Sequence, residues 1–146
     1  MFGSFAKILE SQTFKDFSVL IGRILLALPF PIFGVNKFIN STQMMAVVET
    51  AGVPGYFLYF IIPYQILCGF AVWIGFQTRW ASFLLGGFCI VAPCLYHNNW
   101  DLPGEFSMFI KDFATAGGFL LLWRFGPGRF SVDALRSNPR RHIDRA

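Results

Sequence analysis

An all-α, integral-membrane four-helix bundle with both termini in the cytoplasm is the fold this sequence predicts, and three observations predict it. Of 146 residues 55% are hydrophobic and only 14% charged, with a mean hydropathy of +0.53, whereas soluble domains carry roughly 25% charged residues. The apolar residues fall into four runs, each near the roughly 20 residues that a helix needs to cross a bilayer. The lysines and arginines gather on one side of those runs. Disorder is excluded by 19 Phe, 4 Trp and 4 Tyr at a net charge of only +4.

Residues 1–16 hold Lys7, Glu10, Lys15 and Asp16 among apolar neighbours and read as an amphipathic lead-in on the cytoplasmic face. The first span, about 17–38, carries Arg23 and ends at Lys37; no small-residue cleavage site follows it, so it is a retained anchor. From Glu49 to Arg79 no residue between is charged, which leaves room for a loop at Gly52, Pro54 and Gly55 and a second span at about 55–76. The third span, about 80–97, is followed by a turn through Asn98 to Gly104, with Trp100 suited to the interfacial aromatic belt. The fourth span, about 106–125, stops at Gly126, Pro127 and Gly128, where a permissive glycine meets a residue that cannot continue a helix. Residues 126–146 form a basic cytoplasmic tail. Runs this long and this uniformly apolar are helices, since barrel strands alternate over roughly ten residues.

With four spans the termini share a side. That side collects Lys7, Lys15, Arg23, Arg79, Arg124, Arg129, Arg136, Arg140, Arg141 and Arg145, against Lys37 and Lys111 opposite, which predicts an N-in, C-in topology. The same asymmetry explains the basic pI without nucleic acid, and no nucleic-acid partner is expected. Cys68, Cys89 and Cys94 lie in apolar stretches without CxxC spacing and read as packing residues with no disulfide. Two histidines without neighbouring ligands predict no metal site, and no cofactor motif occurs, so a redox role would need an external quinone or a partner subunit.

Polar residues at membrane depth usually face the bundle interior. Arg23 lies near a span end and reads as snorkelling to the interface. Lys111 shares a helical face with Ser107, Ala114 and Gly118, and the small residues predict that it points inward. Asp112, about 100° away around the helix, cannot readily neutralise it, so each needs a partner. Asn36, Lys37, Gln65 and His97 are the candidates, forming a polar pocket in the outer half.

Several pieces of the chain resemble the DoxX family of small bacterial inner-membrane proteins: GRILL at Gly22 to Leu26, FGVNKF at Phe33 to Phe38, GFQTR at Gly75 to Arg79, HNNW at His97 to Trp100, Lys111 followed by Gly117 and Gly118, and GPGRFSVD at Gly126 to Asp133. The resemblance runs from about Ser18 to Asp133. It implies an inner-membrane location and association with quinone-linked oxidation of sulfur compounds, quinone-like aromatics, or membrane complexes resisting thiol oxidation. The family often has Glu where this chain has Gln65, and Asn where it has Asp112.

The combined expectation is a quinone- or quinol-linked oxidoreductase subunit or accessory. Asn36, Lys37, Gln65, His97 and Lys111 would bind the quinone or a small aromatic, and His97 or Asp112 would exchange protons. Beside the lipid bilayer, a partner oxidoreductase subunit and self-association are the expected contacts. Two other classes remain open: a small-molecule transporter or exporter, and a non-catalytic assembly or anchoring subunit.

Overall fold

The computed structural model describes residues 11–96 and 99–137, all helix or connecting turn with no strand among them. Helix α1 (Gln12–Ala27) begins where Ser11 Oγ accepts the Phe14 N–H at 3.3 Å, a side-chain cap for an otherwise orphan donor. It therefore reaches back into the segment expected to be a surface lead-in. Helix α2 (Pro29–Ile39) follows directly. The break at Leu28 falls where Pro29 offers no N–H and Pro31 stands two residues on, a gap that membrane helices tolerate when neighbours re-satisfy the backbone. Trp73 Nε1 reaches the last turn before the break, bonding Ile24 O at 3.1 Å.

Helix α3 (Ser41–Thr50) and a 3₁₀ turn (Gly55–Phe57) connect to α4 (Leu58–Ile74). The sequence reading provided no element for α3, which is too short and too polar to register as a span. Its Val48, with Met44 and Met45, packs on Leu58, Ile62 and Tyr96 and closes that end of the bundle. Helices α5 (Thr78–Tyr96) and α6 (Glu105–Phe125) complete the membrane part, and a short α7 (Val132–Ser137) turns back beneath it.

Among the described residues four stretches are long and apolar enough to cross a membrane: Gln12–Ile39, Gly55–Ile74, Thr78–Tyr96 and Glu105–Phe125. Four crossings place both described ends of the chain at one end of the bundle, here called the termini end, and the α3 connection at the other, the loop end. The α6 stretch, at 21 residues, is about 31 Å long, matching a hydrocarbon core of about 30 Å.

Packing is by pairs, α5 along α6 and α2 along α4, with α4 also meeting α5. Small residues permit the α2–α4 approach: a Cβ on Gly34 would stand 2.6 Å from Ile66 Cγ1, and one on Gly69 2.7 Å from Pro31 Cδ. This is the close helix contact that membrane proteins build from glycine. The central core joins Ala27, Phe30, Val72, Leu85, Cys89 and Phe119, with Phe30 edge-on to Phe119 at 5.3 Å. Most other large apolar side chains are exposed, among them Leu25, Phe38, Leu67 and Leu121, as a lipid-facing surface requires.

Candidate functional site

Two polar centres lie inside this apolar frame. At the termini end, Arg23 is 2% exposed and its guanidinium donates to Pro127 O (2.8 Å), Phe130 O (2.9 Å) and Trp73 O (3.0 Å). The expectation that it snorkels to the interface is therefore corrected. Its acceptors are the Trp73 carbonyl, one of those the last turn of α4 leaves unsatisfied, and two carbonyls of the non-helical turn that follows α6.

The same turns are tied by a carboxylate. Asp133 accepts the N–H groups of Gln77 (2.8 Å) and Thr78 (2.9 Å), capping α5 from the far end of the chain, and its own N–H donates to Gly75 O at 2.9 Å. Gly75 ends α4 in the left-handed region at φ 74°, where a Cβ would stand 2.4 Å from Ser131 Cβ and 2.6 Å from Arg23 Nη1. Only glycine serves both the turn and the close approach. Three stretches singled out in the sequence, 22–26, 75–79 and 126–133, thus converge on one knot.

The second centre lies toward the loop end. Lys37 Nζ donates to Gln65 Oε1 at 2.8 Å and stands 5.7 Å from the centroid of the Phe88 ring. Gln65 is 3% exposed. Asp112 lies close enough to act electrostatically on both Lys37 and Cys89. Tyr64 packs on Phe88 at 5.9 Å, and Cys68 and Cys89 act on Tyr64. The wall of the centre is therefore Tyr64, Phe88 and two thiols.

The direction of Lys37 follows from helix geometry. Side chains lean toward their helix N-terminus, and for α2 that direction runs into the bundle. For α6 it runs outward to the loop end. Lys111 obeys the same rule: it is exposed, and its ammonium lies 3.0 Å from Met108 Sδ, one turn back. The expectation that Lys111 faces inward with Ala114 and Gly118 is corrected, because Leu26 covers Gly118 while Ala114 and Lys111 stay uncovered.

Of the remaining sequence-predicted residues, Asn36 is exposed and accepts from Asn40 Nδ2 at 2.6 Å through Oδ1, outside the Lys37–Gln65 pair. His97 lies outside the described residues. The structure thus brings together Lys37, Gln65 and Asp112, and adds Tyr64, Phe88 and Cys89, which the sequence reading missed. A signal was present for Tyr64, one turn before Cys68 on the same helix face. Cys68, Cys89 and Cys94 are free thiols. Among the described residues no group of three or more His, Cys, Asp or Glu could hold a metal ion.

Two surface grooves flank these centres without opening on the Lys37–Gln65 contact. One, of about 340 Å³, runs between α2 and α4 over Phe38, Tyr59, Pro63 and Ile66. The other, of about 350 Å³, lies between α1 and α6 near Arg23.

Comparison with known proteins agrees with this architecture. Residues 18–98 match the family model described as DoxX. The chain is 35% identical over 121 residues to the inner membrane protein YqjF of Escherichia coli, covering 83% of this chain and 93% of that protein. It is 30% identical over 122 residues to the inner membrane protein YphA of the same organism, covering 79% of this chain and 87% of that protein. No solved structure matches.

Proposed function

This chain belongs to the DoxX family of multi-pass membrane proteins, and from its loop-end polar centre we propose that it binds a quinone or quinol as a subunit or accessory of a membrane oxidoreductase. The observation that carries the reading is the Lys37–Gln65 bond, a cation held by a neutral amide between aromatic walls at membrane depth. An intramembrane lysine marks a functional site by default. A primary ammonium has three N–H donors and Gln65 takes one, so the residues fit an acceptor oxygen on a flat ring.

In this reading a bound quinone supplies the two-electron chemistry. Lys37 donates a hydrogen bond to the ring oxygen and stabilises negative charge there. Asp112 sets the field around Lys37 and is the carboxylate nearest in role to a proton donor or acceptor. Gln65 orients Lys37, and Tyr64 and Phe88 exclude water from the ring. The two grooves do not reach Lys37, so the ligand oxygen replaces Gln65 as its acceptor or shares Nζ with it. His97, which follows Tyr96 in the sequence, is proposed as a second proton carrier.

The test is binding of a quinone analogue to purified protein. Lys37→Met is expected to remain inserted and folded while affinity falls at least about tenfold, equivalent to about 1.4 kcal/mol. Unchanged affinity in a folded Lys37→Met protein would reject the site. The location we propose is the inner membrane of a bacterium with both termini cytoplasmic, which reporter fusions after Arg79 and near Glu49 test with opposite expected signals.

A second reading is favoured by one observation. Lys111, exposed at membrane depth with a thioether for its contact, is suited to an acidic group on a partner subunit, as an anchoring protein would require. Co-purification of one partner, lost in Lys111→Met, would support it.

A further inference from the structure

Gly22 sits in the middle of α1, where glycine costs about 1 kcal/mol relative to alanine, and among the described residues nothing beyond its chain neighbours and its own helix backbone lies within 4 Å of where its Cβ would be. Internal packing therefore does not require it. Gly22 instead opens the groove of about 350 Å³ between α1 and α6, with Val19, Leu26, Leu121 and Phe125 along its apolar walls and Arg23 in its lining. Arg23 is otherwise buried, and its Nε has no hydrogen-bond partner among the described residues.

The electrostatics of the groove are one-sided. Among the described residues no acidic side chain lines it. Asp133 acts on Arg23, but both its oxygens are engaged by the Gln77 and Thr78 N–H groups. At the mouth, exposed Arg124 holds its guanidinium 5.9 Å from the Phe125 ring centroid, beside a wall that is itself 76% exposed. A second copy of this chain docked by the same face would bring exposed Arg124 against its own equivalent above the buried charge of Arg23, a like-charge arrangement that disfavours association. An occupant with an acyl chain and an anionic head meets both requirements.

We propose that the α1–α6 groove seats one acyl chain of an anionic phospholipid from the leaflet at the termini end, with Arg124 on the headgroup and Arg23 beneath it. The chain fills the space that Gly22 leaves open, and the phosphate answers the positive field of the groove.

The experiment uses the full-length protein in mild detergent, with phosphatidylglycerol, phosphatidylcholine or inorganic phosphate added. Phosphatidylglycerol is expected to raise the Tm by about 5 °C, as binding to the folded state alone would, and to survive as one adduct per chain in native mass spectrometry. Phosphatidylcholine and inorganic phosphate should do neither. Gly22→Leu, which fills the groove, should lose the adduct and the shift. Gly87→Leu, at another glycine with nothing within 4 Å but outside the groove, should keep both. Equal shifts with the two lipids, a shift with phosphate alone, an adduct that persists in Gly22→Leu, or no adduct on the wild-type chain would each overturn the proposal. Loss of a dimer in Gly22→Leu would assign the groove to a second copy and overturn it as well.

Discussion

Two cations of this bundle, buried Arg23 and half-buried Lys37, are held in opposite ways. Arg23 is fixed by three main-chain carbonyls from three parts of the chain, whereas Lys37 is held by one side-chain amide and a ring face. A carbonyl at a helix end cannot turn away without unravelling the turn that carries it. A glutamine amide can rotate or yield its place to a ligand. The arginine is therefore a staple and the lysine an exchangeable donor, although both are cations on the first span.

The sharpest way to break that comparison is Arg23→Met. It removes three charge-assisted bonds, each worth about 1.5–3 kcal/mol, and leaves three partly buried carbonyls without that donor. The protein should fail to accumulate, or melt at least about 10 °C lower. Arg23→Lys, which cannot form the planar fork, should lie between and leave quinone-analogue affinity unchanged. Normal accumulation and Tm for Arg23→Met would show that the knot is not a staple.

Next in size is Asp133→Ala, which uncaps α5 at Gln77 and Thr78. A loss of about 1–2 kcal/mol is expected by analogy with helix caps, read as a lower Tm with analogue binding intact. The opposite pattern is expected of Gln65→Leu. It should keep stability within about 1 kcal/mol and weaken analogue binding about threefold, or about 0.6 kcal/mol, because Lys37 loses its orienting acceptor. If Gln65→Leu instead destabilises as Asp133→Ala does, the distinction between staple and exchangeable donor collapses. The smallest effect belongs to Lys111→Met. With Lys111 on the outer surface, analogue affinity in titration should change by less than about twofold, and a tenfold loss would return it to the site.

What the sequence made legible, and what it hid, follows the same division. Continuous apolar runs mark the spans because hydrocarbon leaves a helix no other composition. Lys37 and Gln65 were legible as members of one polar pocket but not as partners, because counting along the spans puts Gln65 deeper. Helical spacing did place Lys111 with Ala114 and Gly118, but spacing cannot say which length of a face a neighbour covers, and Leu26 reaches only Gly118. Arg23 was misread because its partners are carbonyls of Trp73, Pro127 and Phe130, and a carbonyl acceptor has no residue-type signature. The trace it left was indirect, in glycines such as Gly75 and Gly128 that stand at positive φ.

The span of the Arg23 knot along the chain sets when it can close. One acceptor comes from Trp73, but the other two come from Pro127 and Phe130, and the Asp133 cap comes later still. During synthesis the first three spans are made while the guanidinium has one carbonyl, that of Trp73. A segment made after all four spans therefore completes the first of them, and a chain truncated before Pro127 is expected to accumulate as poorly as Arg23→Met.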